Sequence, residues 1–232
     1  METNRILRNP LTIGLAAVIL VAVSCWVRPS HRVSLIYPPS KSPPEVSAAP
    51  RLQVYLGHFE DNRGMKNIIG EIYKKLDIPD LTWLSDSDVG EFLKTALTVE
   101  LQNVGINAVP EKENAAEDGY RVNGSVNLFY GWGTSVSSDF TAAVNFKVSL
   151  SLKSRVVMAR SYYSEKKGAK KQSDCRPLLI SATTEAMERA AGDIREFLLQ
   201  EAEREKEQRT PERGSPRGIG FPAFCVLYQL QD

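Results

Sequence analysis

The sequence predicts an α+β domain, with an antiparallel sheet of about four to five strands and two helices packed on one face. Three observations carry this expectation. Residues 140–152 alternate between apolar and polar or small side chains, the period of a strand with one buried face. Residues 88–104 and 177–203 instead place apolar residues three and four apart, the period of amphipathic helices. The elements follow in the order strand, helix, four strands, helix, with short polar breaks that suit hairpins and a two-layer packing.

The first strand is expected at Leu52, Val54 and Leu56, ending in the turn formers Glu60-Asp61-Asn62-Arg63-Gly64. Residues 65–84 have no sustained period and read as a loop, with Trp83 and Leu84 covering the core. The first helix buries Val89, Phe92, Leu93, Ala96, Leu97, Leu101 and Val104, with Glu100 at the edge of the stripe. Asp88 stands where an N-cap would, Glu91 three residues on completes the pattern, and Gly105 suits the C-terminal turn. A short strand at 106–109 stops at Pro110. Tyr120, Val122, Gly124, Val126, Leu128 and Tyr130 alternate as the next strand, and Gly131 and Gly133 around Trp132 suggest a bend. Gly124 marks a bulge or a close approach. Lys153-Ser154-Arg155 turns the long strand back on itself through 156–163. The second helix buries Leu179, Thr183, Ala186, Met187, Ala190, Ile194, Phe197 and Leu198.

The chain has 232 residues, 42% hydrophobic and 25% charged, which suits one medium folded domain with tails or at most two small domains. Its net charge of +1 gives no electrostatic reason to expect nucleic acid. The organisation expected is a signal over 1–25, a Pro/Ser-rich tether over 26–50, a globular domain over 51–203, and a charged then irregular tail over 204–232. Val33-Ser34-Leu35-Ile36-Tyr37 offers a short edge strand within the tether.

Residues 1–25 have the three zones of an export signal: Arg5 and Arg8 near the start, an uncharged apolar run from Leu11 to Val23, and Ala22-Val23-Ser24-Cys25. The apolar run is short for a membrane span. The last four residues resemble a bacterial lipobox, with Ala22 where leucine is usual, and the resemblance implies acylation of Cys25. Several acyl chains give stable anchoring where one does not. Residue 26 is Trp, not the Asp that marks inner-membrane retention in enterobacterial lipoproteins, so an outer-membrane anchor facing the periplasm is expected by analogy. A signal anchor or a simple cleaved signal are the competing readings. With Cys25 acylated, Cys175 and Cys225 either form a disulfide in an oxidising compartment or remain thiols.

Little in the sequence points to catalysis. Phosphate-binding and dinucleotide-binding glycine loops and a nucleophile elbow are missing, and the cysteine and histidine spacing does not suit zinc, so no cofactor or metal is expected. His58, Asp61 and Arg63 at a strand end are the strongest acid–base candidates, against a plain turn stabilised by Asp61 and Asn62. Asp86 and Asp88 read as helix-capping carboxylates before they read as a metal pair. Lys166, Lys167, Lys170 and Lys171 read as solvated loop charge before they read as a headgroup site. Tyr130, Trp132, Tyr162 and Tyr163 lie near strand ends, where they either line a partner surface or pack across the sheet.

The lipobox, the strand Leu52-Gln53-Val54-Tyr55-Leu56 with its Asp61-Asn62-Arg63 turn, the helix from Ser87 to Gly105, the strand through Val144-Asn145-Phe146-Lys147-Val148 with its return to Tyr163, and the helix from Ile180 to Phe197 together resemble the YajG-type family of small bacterial lipoproteins. The likeness spans about residues 50–200, in elements and order. It implies a periplasm-facing domain on a lipid anchor, without established catalytic residues. The function expected is a non-enzymatic envelope lipoprotein that binds a protein or lipid partner or supports envelope integrity. The alternatives are an accessory lipoprotein of an ABC-type or lipid transport system, and an enzyme centred on His58, Asp61 and Arg63.

Overall fold

The computed structural model describes residues 29–39, 52–74, 79–111, 119–134, 139–169 and 174–209. The export signal with Cys25, residues 40–51, Lys170, Lys171, Cys225 and the tail beyond Arg209 lie outside them. The strands are β1 (Ser30–Val33), β2 (Gln53–Asp61), β3 (Ile68–Tyr73), β4 (Pro79–Ser85), β5 (Asn107–Pro110), β6 (Arg121–Thr134), β7 (Asp139–Leu152) and β8 (Arg155–Ala169). The helices are α1 (Val89–Asn103) and α2 (Arg176–Arg209). The chain divides into two compact units, Met1–Arg195 and Glu196–Asp232, with the boundary inside α2.

The expected antiparallel sheet of four to five strands is not what forms. The described strands make one mixed eight-stranded sheet. Four pairings are parallel, β1–β4, β2–β5, β2–β6 and β3–β6, and three are antiparallel, β3–β4, β6–β7 and β7–β8. The extra strands come from two places. Residues 65–84, expected as a loop, contain the β3–β4 hairpin, whose alternation is interrupted by Gly70 and by register shifts on both sides of it. The stretch read as a tether supplies β1, three residues ahead of the strand expected there, and buries Val33, Leu35 and Tyr37.

The long strand β6 organises the sheet. β7 runs along one of its edges from Arg121↔Ser151 to Gly133↔Phe140. The other edge is shared in series: β2 pairs with its first half, from Tyr55↔Arg121 to Asp61↔Val126, and β3 with its end, from Gly70↔Gly131 to Tyr73↔Thr134. Gly131 and Gly133 do not bend the chain. They leave room for Phe140, whose ring would stand 2.7 and 2.9 Å from a Cβ at either position. Gly124 is likewise a close approach, because a Cβ there would lie 2.3 Å from the Phe59 ring.

Helix α1 forms because both its ends are satisfied. Asp88 has extended backbone and accepts from Glu91 N at 3.0 Å. At the other end Gly105 has φ +84°, a left-handed conformation that costs a side chain but not glycine. Its N–H donates to Gln102 O at 3.0 Å and Ile106 N to Leu101 O at 2.9 Å, the paired bonds of a Schellman turn. Phe92 meets Phe129 edge-on at 5.7 Å. Cys175, at the start of α2, lies against Gly131, two residues along the same face of β6. Both helices therefore begin on one face of the sheet, over a core of Leu93, Leu97, Leu101, Phe146, Leu150, Leu179, Met187 and Ile194. Glu100, expected at the stripe's edge, is buried within it, where it accepts from Tyr37 Oη at 2.7 Å and Asn103 Nδ2 at 2.9 Å.

Candidate functional site

The acid–base candidates serve the fold. Arg63 is 8% exposed and occupies the gap that β2 and β3 leave along the edge of β6. Its Nε and one terminal nitrogen grip the Asp61 carboxylate at 2.8 and 2.7 Å, and that same nitrogen donates to Lys66 O at 2.6 Å. The other terminal nitrogen donates to Ile68 O at 3.2 Å and Phe129 O at 3.1 Å. A guanidinium has five N–H donors, and these five bonds use them all. Burial alone would raise the Asp61 carboxyl, but hydrogen bonds and charge from Arg63 outweigh it and hold the group below the usual carboxylate value. His58 takes no part in this set. It is exposed, and its backbone N–H donates to Asn123 Oδ1 at 3.1 Å.

Other candidates are similarly engaged. Asp88 caps α1, and Asp86 faces Arg32 at 3.5 Å in an exposed pair. Lys166 pairs with Glu185, and Lys167 with Glu165 at 3.3 Å. Among the described residues no group of three or more His, Cys, Asp or Glu is placed to hold a metal ion. No described helix is long and apolar enough to cross a membrane. Cys175 is wholly buried, its Sγ 3.3 Å from where a Cβ on Gly70 would lie. Burial, and then the charge of Asp174, push its thiol up to about 12, so thiolate chemistry is suppressed at neutral pH.

The four aromatic candidates separate onto two faces. Tyr162 is 5% exposed on the helix side, where it packs on Phe146 and donates to Asp193 Oδ2 at 3.0 Å. Tyr130, Trp132 and Tyr163 lie on the opposite face of the sheet. The Tyr130 and Trp132 rings stack at 6.3 Å with 18° between their planes. Tyr163 is two strands away, 47% exposed, and donates to Glu165 Oε2 at 2.6 Å.

Beside Tyr130 and Trp132 stand two residues that sequence reasoning left in a loop. Glu71, on β3, is 7% exposed and faces Trp132 across the pairing with β6. Its Oε2 accepts from Tyr73 Oη at 2.6 Å and Tyr130 Oη at 2.5 Å, and the two hydroxyls are 2.9 Å apart. Among the described residues its Oε1 has only Thr82 Oγ1 at 3.5 Å, the outer limit of a hydrogen bond. Burial, and then the bonds to Glu71 and Tyr73, hold the Tyr130 proton far above the ordinary phenol range, so Tyr130 is a hydrogen-bond donor and not a base. The signal that could have found Glu71 is a lone acid in an otherwise apolar hexapeptide, Ile68-Ile69-Gly70-Glu71-Ile72-Tyr73.

No protein-family model and no curated protein matches the sequence. Solved structures are similar to this chain. A Xanthomonas campestris protein of the family DUF330 is 11% identical, with 76% of this chain and 99% of that chain covered and a TM-score of 0.50. The PelC dodecamer from Paraburkholderia phytofirmans is 13% identical over 61% of this chain and 93% of its own, with a TM-score of 0.37. The lipoprotein GNA1162 from Neisseria meningitidis is 13% identical over 58% of this chain and 96% of its own, with a TM-score of 0.33. The neighbours thus include bacterial lipoproteins and a DUF330 protein. At 11% identity the likeness to the DUF330 protein speaks for the fold alone, and it does not single out the YajG-type family.

Proposed function

We propose that this protein is a non-enzymatic bacterial envelope lipoprotein, anchored by acyl chains on Cys25 and presenting its folded domain to the periplasm to bind a partner. The reading is carried by the lipobox-like Ala22-Val23-Ser24-Cys25 directly ahead of the domain, whose first strand begins at Ser30. The use of all five Arg63 donors within the fold supports a binding role over an acid–base one. Trp26 after the cysteine favours the outer membrane. An accessory role in lipid or ABC-type transport is the second reading, favoured by the stacked, half-buried rings of Tyr130 and Trp132.

The test is intact-mass analysis of protein purified from bacterial membranes, beside a Cys25→Ala variant. The expected result is a mature chain starting at Cys25 with added acyl mass, which the variant lacks. A chain that still begins at Met1 would overturn both the anchor and the location.

A further inference from the structure

The pairing registers draw one unbroken cross-strand row: Ser30↔Thr82, Thr82↔Glu71, Glu71↔Trp132, Trp132↔Thr141 and Thr141↔Lys167. Residues directly opposite in paired strands share a face, so all six lie on the side of the sheet opposite the one on which α1 and α2 begin. Two features of this row are unusual together. First, Glu71 is a buried carboxylate whose donors are all neutral hydroxyls, and no Lys, Arg or His among the described residues pairs with it. Burying a carboxylate without a cation is costly, and a cation brought to it recovers much of that cost. Second, the aromatic rings of Tyr130 and Trp132 stand beside it, and ring faces attract organic cations. A carboxylate beside Tyr and Trp rings is the chemistry that recognises an ammonium group. The loosely bonded Oε1 supplies the acceptor, and the rings supply the walls.

The same row indicates which ammonium. Ser30, at its head, is five residues after Cys25. Five residues span at most about 18 Å when fully extended. Glu71 lies two strands from Ser30, about 10 Å at ordinary strand spacing. An acyl anchor at Cys25 therefore keeps this face close to the headgroups of the membrane that carries it. We infer that Glu71, Tyr130 and Trp132, with Tyr73 and Thr82 holding the carboxylate, form a site for the ammonium headgroup of a phospholipid, with phosphatidylethanolamine as its occupant. The inference rests on the lipid-anchor reading for the choice of a lipid over another amine.

The full-length protein in non-ionic detergent would be titrated with dihexanoyl phosphatidylethanolamine and, separately, with dihexanoyl phosphatidylglycerol. The two lipids share tails and differ in headgroup, and tryptophan fluorescence is the readout. The expected result is a saturable change with the ethanolamine lipid and at least tenfold weaker binding of the glycerol lipid. Glu71→Gln, which keeps an acceptor for the tyrosines, should weaken the ethanolamine lipid at least tenfold. Trp132→Phe, which leaves the Glu71 hydrogen bonds in place, should remove most of the fluorescence change, and it serves alone if Glu71→Gln melts early. Equal responses to the two lipids, or a Trp132→Phe variant that responds like the wild type, would overturn the site. Displacement by trilysine at lower concentration than the lipid requires would overturn the lipid in favour of a protein amine. Acylated protein that ignores the ethanolamine lipid defeats this inference and spares the anchor. Unacylated protein that binds it defeats the anchor and spares the site.

Discussion

Arg63 shows how far one side chain can stand in for secondary structure. β2 and β3 both pair with the same edge of β6 and leave Phe129 O without a strand partner, and the guanidinium supplies the missing donor while also bonding Ile68 O and Lys66 O. It lies 5.8 Å from the Phe129 ring centre as well. Removing it would leave three carbonyls and the buried Asp61 carboxylate short of partners. Breaking one side of a buried ion pair costs about 3–5 kcal/mol, so Arg63→Met should lose that much in urea unfolding, and Asp61→Asn combined with it should lose less than the sum of the two. The pair also sets an acid limit. Because the Asp61 carboxyl is lowered from 3.8 in the folded state, its contribution is complete above that value and is lost as pH falls through the lower folded one. The wild type should lose stability below about pH 4 more steeply than Asp61→Asn. A parallel fall in the two proteins would contradict the assignment.

Among the elements, the β7–β8 hairpin carries a correctable strain. Lys153 and Ser154 have φ of 50° and 64°, both left-handed, as a two-residue turn of the primed type requires. Non-glycine residues pay roughly 1–2 kcal/mol in that region, less for asparagine. Lys153→Asn with Ser154→Gly should therefore raise stability by about 1 kcal/mol, seen as a higher urea midpoint at unchanged slope. The elements legible in the sequence were those whose signal is local. α1 announced both its caps at Asp88 and Gly105, and β7 alternates from Phe140 to Leu150, interrupted only by the small Ala143. β3 and β4 were not legible because Gly70, which leaves room for Cys175 and Trp83, removes an apolar side chain from the pattern. Parallel pairing was not legible at all, since β2 meets β5 and β6 through register that no short window contains. The candidate site was legible only in part for the same reason: Tyr130 ended a clear strand, Trp132 read as part of a bend that is in fact strand, and Glu71 and Tyr73 sat in the hairpin that read as a loop.

At the scale of the whole molecule, the described fold reaches back to within five residues of Cys25, since its first strand begins at Ser30. A proline-rich stretch reads as a spacer because it cannot form a helix, yet spacing is not what residues 29–39 do. β1 extends the sheet beside β4, Asp86 N donates to Val33 O at 3.1 Å, and Tyr37 meets Phe92 edge-on at 6.0 Å while its hydroxyl bonds Glu100. Val33, Leu35 and Tyr37 are each less than a tenth exposed. Burying such side chains contributes about 1.5–3 kcal/mol apiece, so the segment holds on the order of 5 kcal/mol, a large share of the roughly 5–15 kcal/mol that keeps a domain folded. Deleting residues 26–50, so that Cys25 runs directly into Arg51, should therefore not yield the same domain on a shorter leash. It should lower the melting temperature by about 10–20 °C or abolish a cooperative transition. Tyr37→Phe, which keeps the ring contact and removes the hydroxyl that bonds buried Glu100 and Thr184, should cost about 1–3 kcal/mol. A deletion variant that melts with the full-length protein would return this stretch to the role of a spacer.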